Sequence, residues 1–499
     1  MPSQYDRMAH LIRRAGFGAR PDEINNYLSQ GFEATVDQLI NYEQIPDPDV
    51  PAQPTTANGG FDITLLGPDD IAAWWFDRMI KTRRPLQERM AIFWHDHFAT
   101  SISKVNPPNG FKYMYWQNQL FRQYATGNFR TLCKAINRDP AMLWWLDNID
   151  NVKGSPNENY ARELLEIFTL GLEAYLAGVY TEPDVQQAAR AFTGWGIRRG
   201  NDQPASQALL NGPITDPALV VEIPPTTPDN SRPAQRHDYG DKTVFGVVRN
   251  LNGDDIVDLI LDHEPQRTHA ARMLGKKIFE HFAYEDPEQN VVDHLAAVLL
   301  RTDFNIKALL RDLFLNTKEF YSEKAVFALL KWPVHYVVIA IRSLQAQVNT
   351  RTINGNARAA NNATLSTMGQ QLLNPPDVFG WPGREEWSTT SQLLARANWV
   401  NNLITNRSAQ QGNTGVPLDA VLAIGNLGAN ATAEAVVDYF TSLLVQSPLA
   451  PGVRQGLIDY LKKNDNGAIG TFTLDTTTKD KKVRGLVHLL LARPETQNF

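Results

Sequence analysis

The sequence predicts an all-α fold, a multi-helix globular assembly with long proline- and glycine-rich loops and at most a few short strands. Three observations predict it. Apolar residues recur at helical spacing through most of the 499 residues. Capping residues and prolines stand at the starts of several of these stretches, with glycine at some of their ends. One short segment, Thr243–Val248, has the apolar, β-branched character of a strand.

The elements follow in order. Between Pro21 and Tyr42, Ile24, Leu28, Val36, Leu39 and Ile40 keep a helical period. Residues 43–68 read as loop. Asp69–Lys81 and Pro85–Thr100 are amphipathic helices, the second with proline in its first turn. Phe111–Thr126 and Asn128–Ile136 continue the pattern. Asn157–Gly171 is a helix started by Ser155, Pro156 and a capping-box Glu158, and stopped by Gly171. In the next helix Thr181 caps and Asp184 takes the box position, and the helix ends at Gly194-Trp195-Gly196. Residues 200–236 are proline-rich and aperiodic, an irregular insertion. Helices resume at Asp254–Leu261, Arg267–Ala283, Pro287–Leu300 and Asn305–Leu315. A second loop-rich region covers 349–391, and helices at 418–425, 433–446, 452–463 and 480–492 complete the chain. The organisation expected is an N-terminal helical domain (1–200), an insertion with a short hairpin (201–250) and a C-terminal helical domain (251–499).

Bulk composition excludes several functions. A net charge of −6 argues against a nucleic-acid surface. The basic runs Lys81–Arg84 and Lys479–Lys482 are short and read as solvated helix ends or loops. No uncharged apolar stretch approaches the roughly 20 residues that span a bilayer. The nearest, Phe327–Ile341, is broken by Lys331, Pro333 and His335. The opening MPSQYDRMAHLIRRAGFG lacks a signal's apolar core, which points to the cytoplasm and leaves export open. The single Cys133 forbids an intrachain disulfide and any cysteine-rich zinc cluster.

Four polar segments are candidates for chemistry. In the Asn157–Gly171 helix, Asn159, Arg162, Glu163 and Glu166 share one face at about 100° per residue. Pairing explains Arg162 with Glu158 and Glu166. Thr169 and Leu170 share that face, which implies that its C-terminal end is covered, so Glu163 beside Asn159 needs a partner or a proton. Around Asp96, His95 and His97 would point about 200° apart on a helix and so would not chelate one ion together. His237, Asp238 and Lys242 form an acid–base set at a glycine turn, with a polar β-turn as the structural alternative. Trp195, Trp381 and Trp387 sit beside glycine or charged loops and would line a ligand cleft, with core packing as the alternative.

These motifs carry a resemblance. HLIRRAGFG, FWHDHF, NENYARELLEIFTLG, YTEPDVQQAARAFTGW, HDYGDKTVFG, PPDVFGWPGREEW and LLLARPETQ, in that order, resemble a bacterial domain-of-unknown-function family, number 1800. The resemblance implies a largely helical protein and brings no established reaction. Many members look exported, which this opening segment does not match. The resemblance marks His95–His97, Glu158–Glu163, His237–Lys242 and Asp377–Trp387 as family segments and favours one shared site.

The function expected is a hydrolase or related acid–base enzyme with a cleft between helical layers. Glu163 or Asp96 would be the base and His237 or His95 the acid. Arg162 and Lys242 would hold negative charge. A divalent metal held by His95 or His97 with Asp96, Glu163, His237 and Asp238 is a variant. The ligand would be a small molecule, glycan or peptide. The competing expectation is a non-catalytic binding or scaffold protein whose polar motifs are buried networks.

Overall fold

The structure is a computed structural model that describes residues 3–54, 67–105, 111–197, 220–222, 237–348, 364–405, 415–464 and 466–499. It is all-α. Among the described residues the strands form two antiparallel pairs of three-residue strands, Trp195–Ile197 with Val220–Glu222 and Lys242–Val244 with Val247–Arg249. The segment Thr243–Val248 is therefore a hairpin turning at Phe245-Gly246. The rest of the insertion expected at 200–236 lies outside the described residues, as does 349–363 of the second loop region.

The helices form where the periodicity places them, with local differences. Pro21–Tyr42 is two helices, Pro21–Gln30 and Phe32–Ile40, broken at Gly31. The helix at Pro85 ends at His97, three residues short of expectation. Thr181 and Asp184 start their helix as expected, the carboxylate accepting the Thr181 N–H at 2.8 Å. Ser155, in contrast, caps nothing. The helix there starts at Asn159, and Asn157 supplies the capping oxygen at 3.0 Å. Pro156 and the box reading of Glu158 fail with it, because Asn151 holds the Asn157 N–H at 2.9 Å and keeps the chain extended one turn longer.

Two further helices lack an amphipathic signal. Pro333–Ser343 is buried almost all round, so its sequence shows no polar face. Thr390–Ile404 buries only Arg396, Val400, Leu403 and Ile404. Buried apolar side chains from Met8 to Phe499 form one continuous core. The first and last thirds of the chain meet directly, with Arg13 donating to the Gln446 carbonyl and Gln446 to the Ala19 carbonyl. No described helix is long and apolar enough to cross a membrane.

Candidate functional site

Pro85 opens a helix whose inward stripe is Leu86, Arg89, Phe93 and His97, at spacings of three and four. Its last turn delivers Asp96 to a cavity of about 420 Å³. Lys277 and His281 reach the same cavity from the Gln266–Phe282 helix, and Trp332 and His335 from the start of the Pro333–Ser343 helix. Trp381 closes another side from the 377–383 loop.

Asp96 is half-buried, and its Oδ1 accepts the Trp381 main-chain N–H at 2.8 Å. Its other oxygen has no partner among the described residues. Burial raises the carboxyl to about 7, against the lowering effects of the Trp381 N–H and the Lys277 ammonium. Gly380 makes this arrangement possible. It has φ +94°, and a Cβ there would lie 2.7 Å from the Asp96 carbonyl oxygen. Only glycine lets the loop come this close and turn Trp381 N–H onto the carboxylate.

The Leu164–Thr169 segment is a π-helical turn. The Leu170 N–H bonds back to Leu165, five residues away, at 2.9 Å. The Ile167 carbonyl takes Lys277 Nζ at 3.1 Å, and the Phe168 carbonyl takes His97 Nε2 at 3.0 Å. A carbonyl partner requires a proton on Nε2, so the neutral ring turns its Nδ1 lone pair toward Lys277 Nζ, 3.5 Å away. Burial, and secondarily Lys277, holds His97 neutral by lowering its pKa well below the usual value. Burial also lowers Lys277, opposed by Asp96 and Glu280. Lys277 and Asp96 thus feel each other without a direct ion pair.

His95 points elsewhere. Its ring is 1% exposed and packs 5.7 Å from Trp75 and 5.3 Å from Trp381. Both ring nitrogens lack partners, and burial lowers its pKa to about 3. Among the described residues no three His, Cys, Asp or Glu side chains are grouped to hold a metal ion.

A family model described as a protein of unknown function (DUF1800) matches residues 10–498. The chain belongs to that family. No curated protein and no solved structure matches it. In this DUF1800 chain, two of the four motif segments noted in the sequence meet at the cavity, the one around Asp96 and the one around Trp381. The Asn157–Gly171 segment contributes through its π turn, by main-chain carbonyls rather than by Glu163.

Glu163 is half-buried and does not line the cavity. Burial and its neighbour Glu166 raise it to about 7, against Arg162, and it accepts no hydrogen bond among the described residues. Arg162 is engaged by Glu182 and Glu158, each at 2.9 Å, and Asn159 is exposed.

The His237–Lys242 loop is a closed latch. His237 Nδ1 meets the Thr193 carbonyl at 2.6 Å. Asp238 takes Arg190 Nε at 2.7 Å and the Gly240 N–H at 2.9 Å. Burial would raise the Asp238 carboxyl, but Arg190 and that N–H outweigh it and the pKa falls. Lys242 is 1% exposed, and its ammonium binds the Asp238 carbonyl, the Gly240 carbonyl at 3.0 Å and Asn250 Oδ1 at 3.2 Å. Gly194, at φ +84°, lets the loop dock, since a Cβ there would sit 2.7 Å from the His237 nitrogen.

The tryptophans divide similarly. Trp381 lines the cavity and donates its indole N–H to the Gln371 carbonyl at 3.2 Å. Trp387 is buried behind Trp332, their rings 5.2 Å apart. Trp195 packs under Arg138 at 4.8 Å, in a small separate cluster with Leu143. Sequence reasoning passed over Arg89, Lys277 and His281. A signal was present, because Arg89 and Lys277 each interrupt an apolar helical stripe, where an unpaired cation is rare.

Proposed function

We propose that this DUF1800 protein is an acid–base enzyme of the hydrolase kind, acting on a small molecule in the Asp96 cavity. One observation supports it above the others. A carboxyl raised to about 7 lines an open cavity beside an ammonium that is not paired with it. Near neutral pH such a carboxyl exchanges its proton readily in either direction. In this reading Asp96 takes a proton from the attacking water and returns it to the leaving group. Lys277 holds the negative charge that develops on the attacked group. Trp381 N–H and Gly380 fix the carboxyl, and His97 with the π turn fixes Lys277. Glu163, His237, Asp238 and Lys242 have no catalytic part in it, since none lines the cavity and the last three are held in the latch.

The test is a hydrolysis screen over ester, amide, glycoside and phosphoester substrates. Asp96→Asn is expected to lower the activity found by about 10³-fold, with the melting temperature not reduced. Activity unchanged by Asp96→Asn contradicts the proposal.

A further inference from the structure

The inner wall of the same cavity holds nitrogens that nothing satisfies. Arg89 Nε and Nη1, His281 Nε2 and both ring nitrogens of His335 are buried without a partner among the described residues. Arg89 is 1% exposed, and only aromatic faces meet it, Phe499 at 4.8 Å and Phe282 at 5.9 Å. His281 and His335 stand 6.4 Å apart, and both rest against Trp332.

This is not how the molecule treats its other buried arginines. Arg122 meets Glu88 through two nitrogens, at 2.6 and 3.0 Å. Arg342 donates to three main-chain carbonyls, the closest at 2.7 Å. A buried cation without a counter-charge is strongly unfavourable, so a guanidinium left this way, facing a cavity, is arranged for something that enters it.

We propose that Arg89, His281 and His335 form an anion site that takes the carboxylate or phosphate group of the molecule on which Asp96 acts. The proposal rests on the acid–base reading above. The exposed side of the cavity is acidic, from Glu280, Glu285 and Asp286, with the exposed ring of Phe379 beside them. That rim disfavours a second negative charge. The ligand therefore carries one anionic head, directed inward, and a remainder that is neutral or cationic.

The test is calorimetric titration of the full chain with inorganic phosphate and, separately, with acetate, at constant ionic strength held by sodium chloride. One-to-one binding of either anion is expected, and which of the two binds tells phosphate from carboxylate chemistry. Arg89→Gln should weaken it by about ten-fold or more, and His335→Gln by about three-fold or more. Asp96→Asn should leave it within about three-fold, or tighten it, because a nearby negative charge is gone. Absence of binding by both anions, or equal affinity in the Arg89 variant, overturns the anion site. If Arg89→Gln does not fold, unchanged affinity in His335→Gln overturns it instead. Anion binding that persists while Asp96→Asn leaves hydrolysis untouched would remove the acid–base reading and keep the anion site.

Discussion

The His237–Lys242 latch and the Asp96–Lys277 cavity are built from the same residue types, and they differ in what those residues touch. In the latch, Lys242 binds three oxygens and Asp238 is paired with Arg190. In the cavity, Asp96 has one main-chain donor, Lys277 one close carbonyl, and Arg89 no hydrogen-bond partner. A charged motif that satisfies itself holds a loop in place. A charged motif left incomplete at an open cavity has capacity for a ligand.

The largest contrast should come from the two lysines. Lys242→Met strips three buried or half-buried oxygens of their donor and should cost about 2–4 kcal/mol in denaturant unfolding. Lys277→Met removes a cation with little support and should change stability by about 1 kcal/mol or less. Equal losses would erase the distinction between the regions. Next comes Gly380→Ala, which forces the loop off Asp96 and should cost about 1–3 kcal/mol. The same variant should lower the Asp96 pKa, because retreat of the loop lets water reach the carboxyl.

Glu163→Gln sharpens the comparison by the smallest amount. Its folded pKa is raised from 4.5 to about 7, so ionisation costs stability as pH climbs through that window. The glutamine variant should match wild type below pH 4.5 and exceed it by about 0.5–1 kcal/mol above pH 7. A loss beyond about 2 kcal/mol would put Glu163 in a structural network and strengthen the scaffold reading.

Much of this was legible in the sequence, and the limits have physical causes. Helical spacing located the helices carrying Asp96 and Lys277, because half-exposed helices must alternate their faces. It could not show Pro333–Ser343, which is buried all round. Charge density drew attention to Glu163 and to His237–Lys242, but density says nothing about partners. Whether Lys242 is satisfied depends on Asn250 and on two carbonyls brought round by a hairpin. The π turn was invisible for a similar reason, since it widens one turn without altering the residue pattern. Arg89 was readable in principle, as a cation on the Leu86–Phe93–His97 stripe. Its lack of a partner is a tertiary fact.

The most direct test of the central claim is the pH dependence of unfolding free energy in wild type and Asp96→Asn. Asp96 has its folded pKa raised from 3.8 to about 7, so its favourable contribution is complete below the lower value and lost as pH rises through the upper one. The account predicts that Asp96→Asn gains steadily on wild type between pH 4 and pH 7 and holds a constant lead above it. A difference that stays flat across that range, or one in which wild type gains as pH rises, would contradict it.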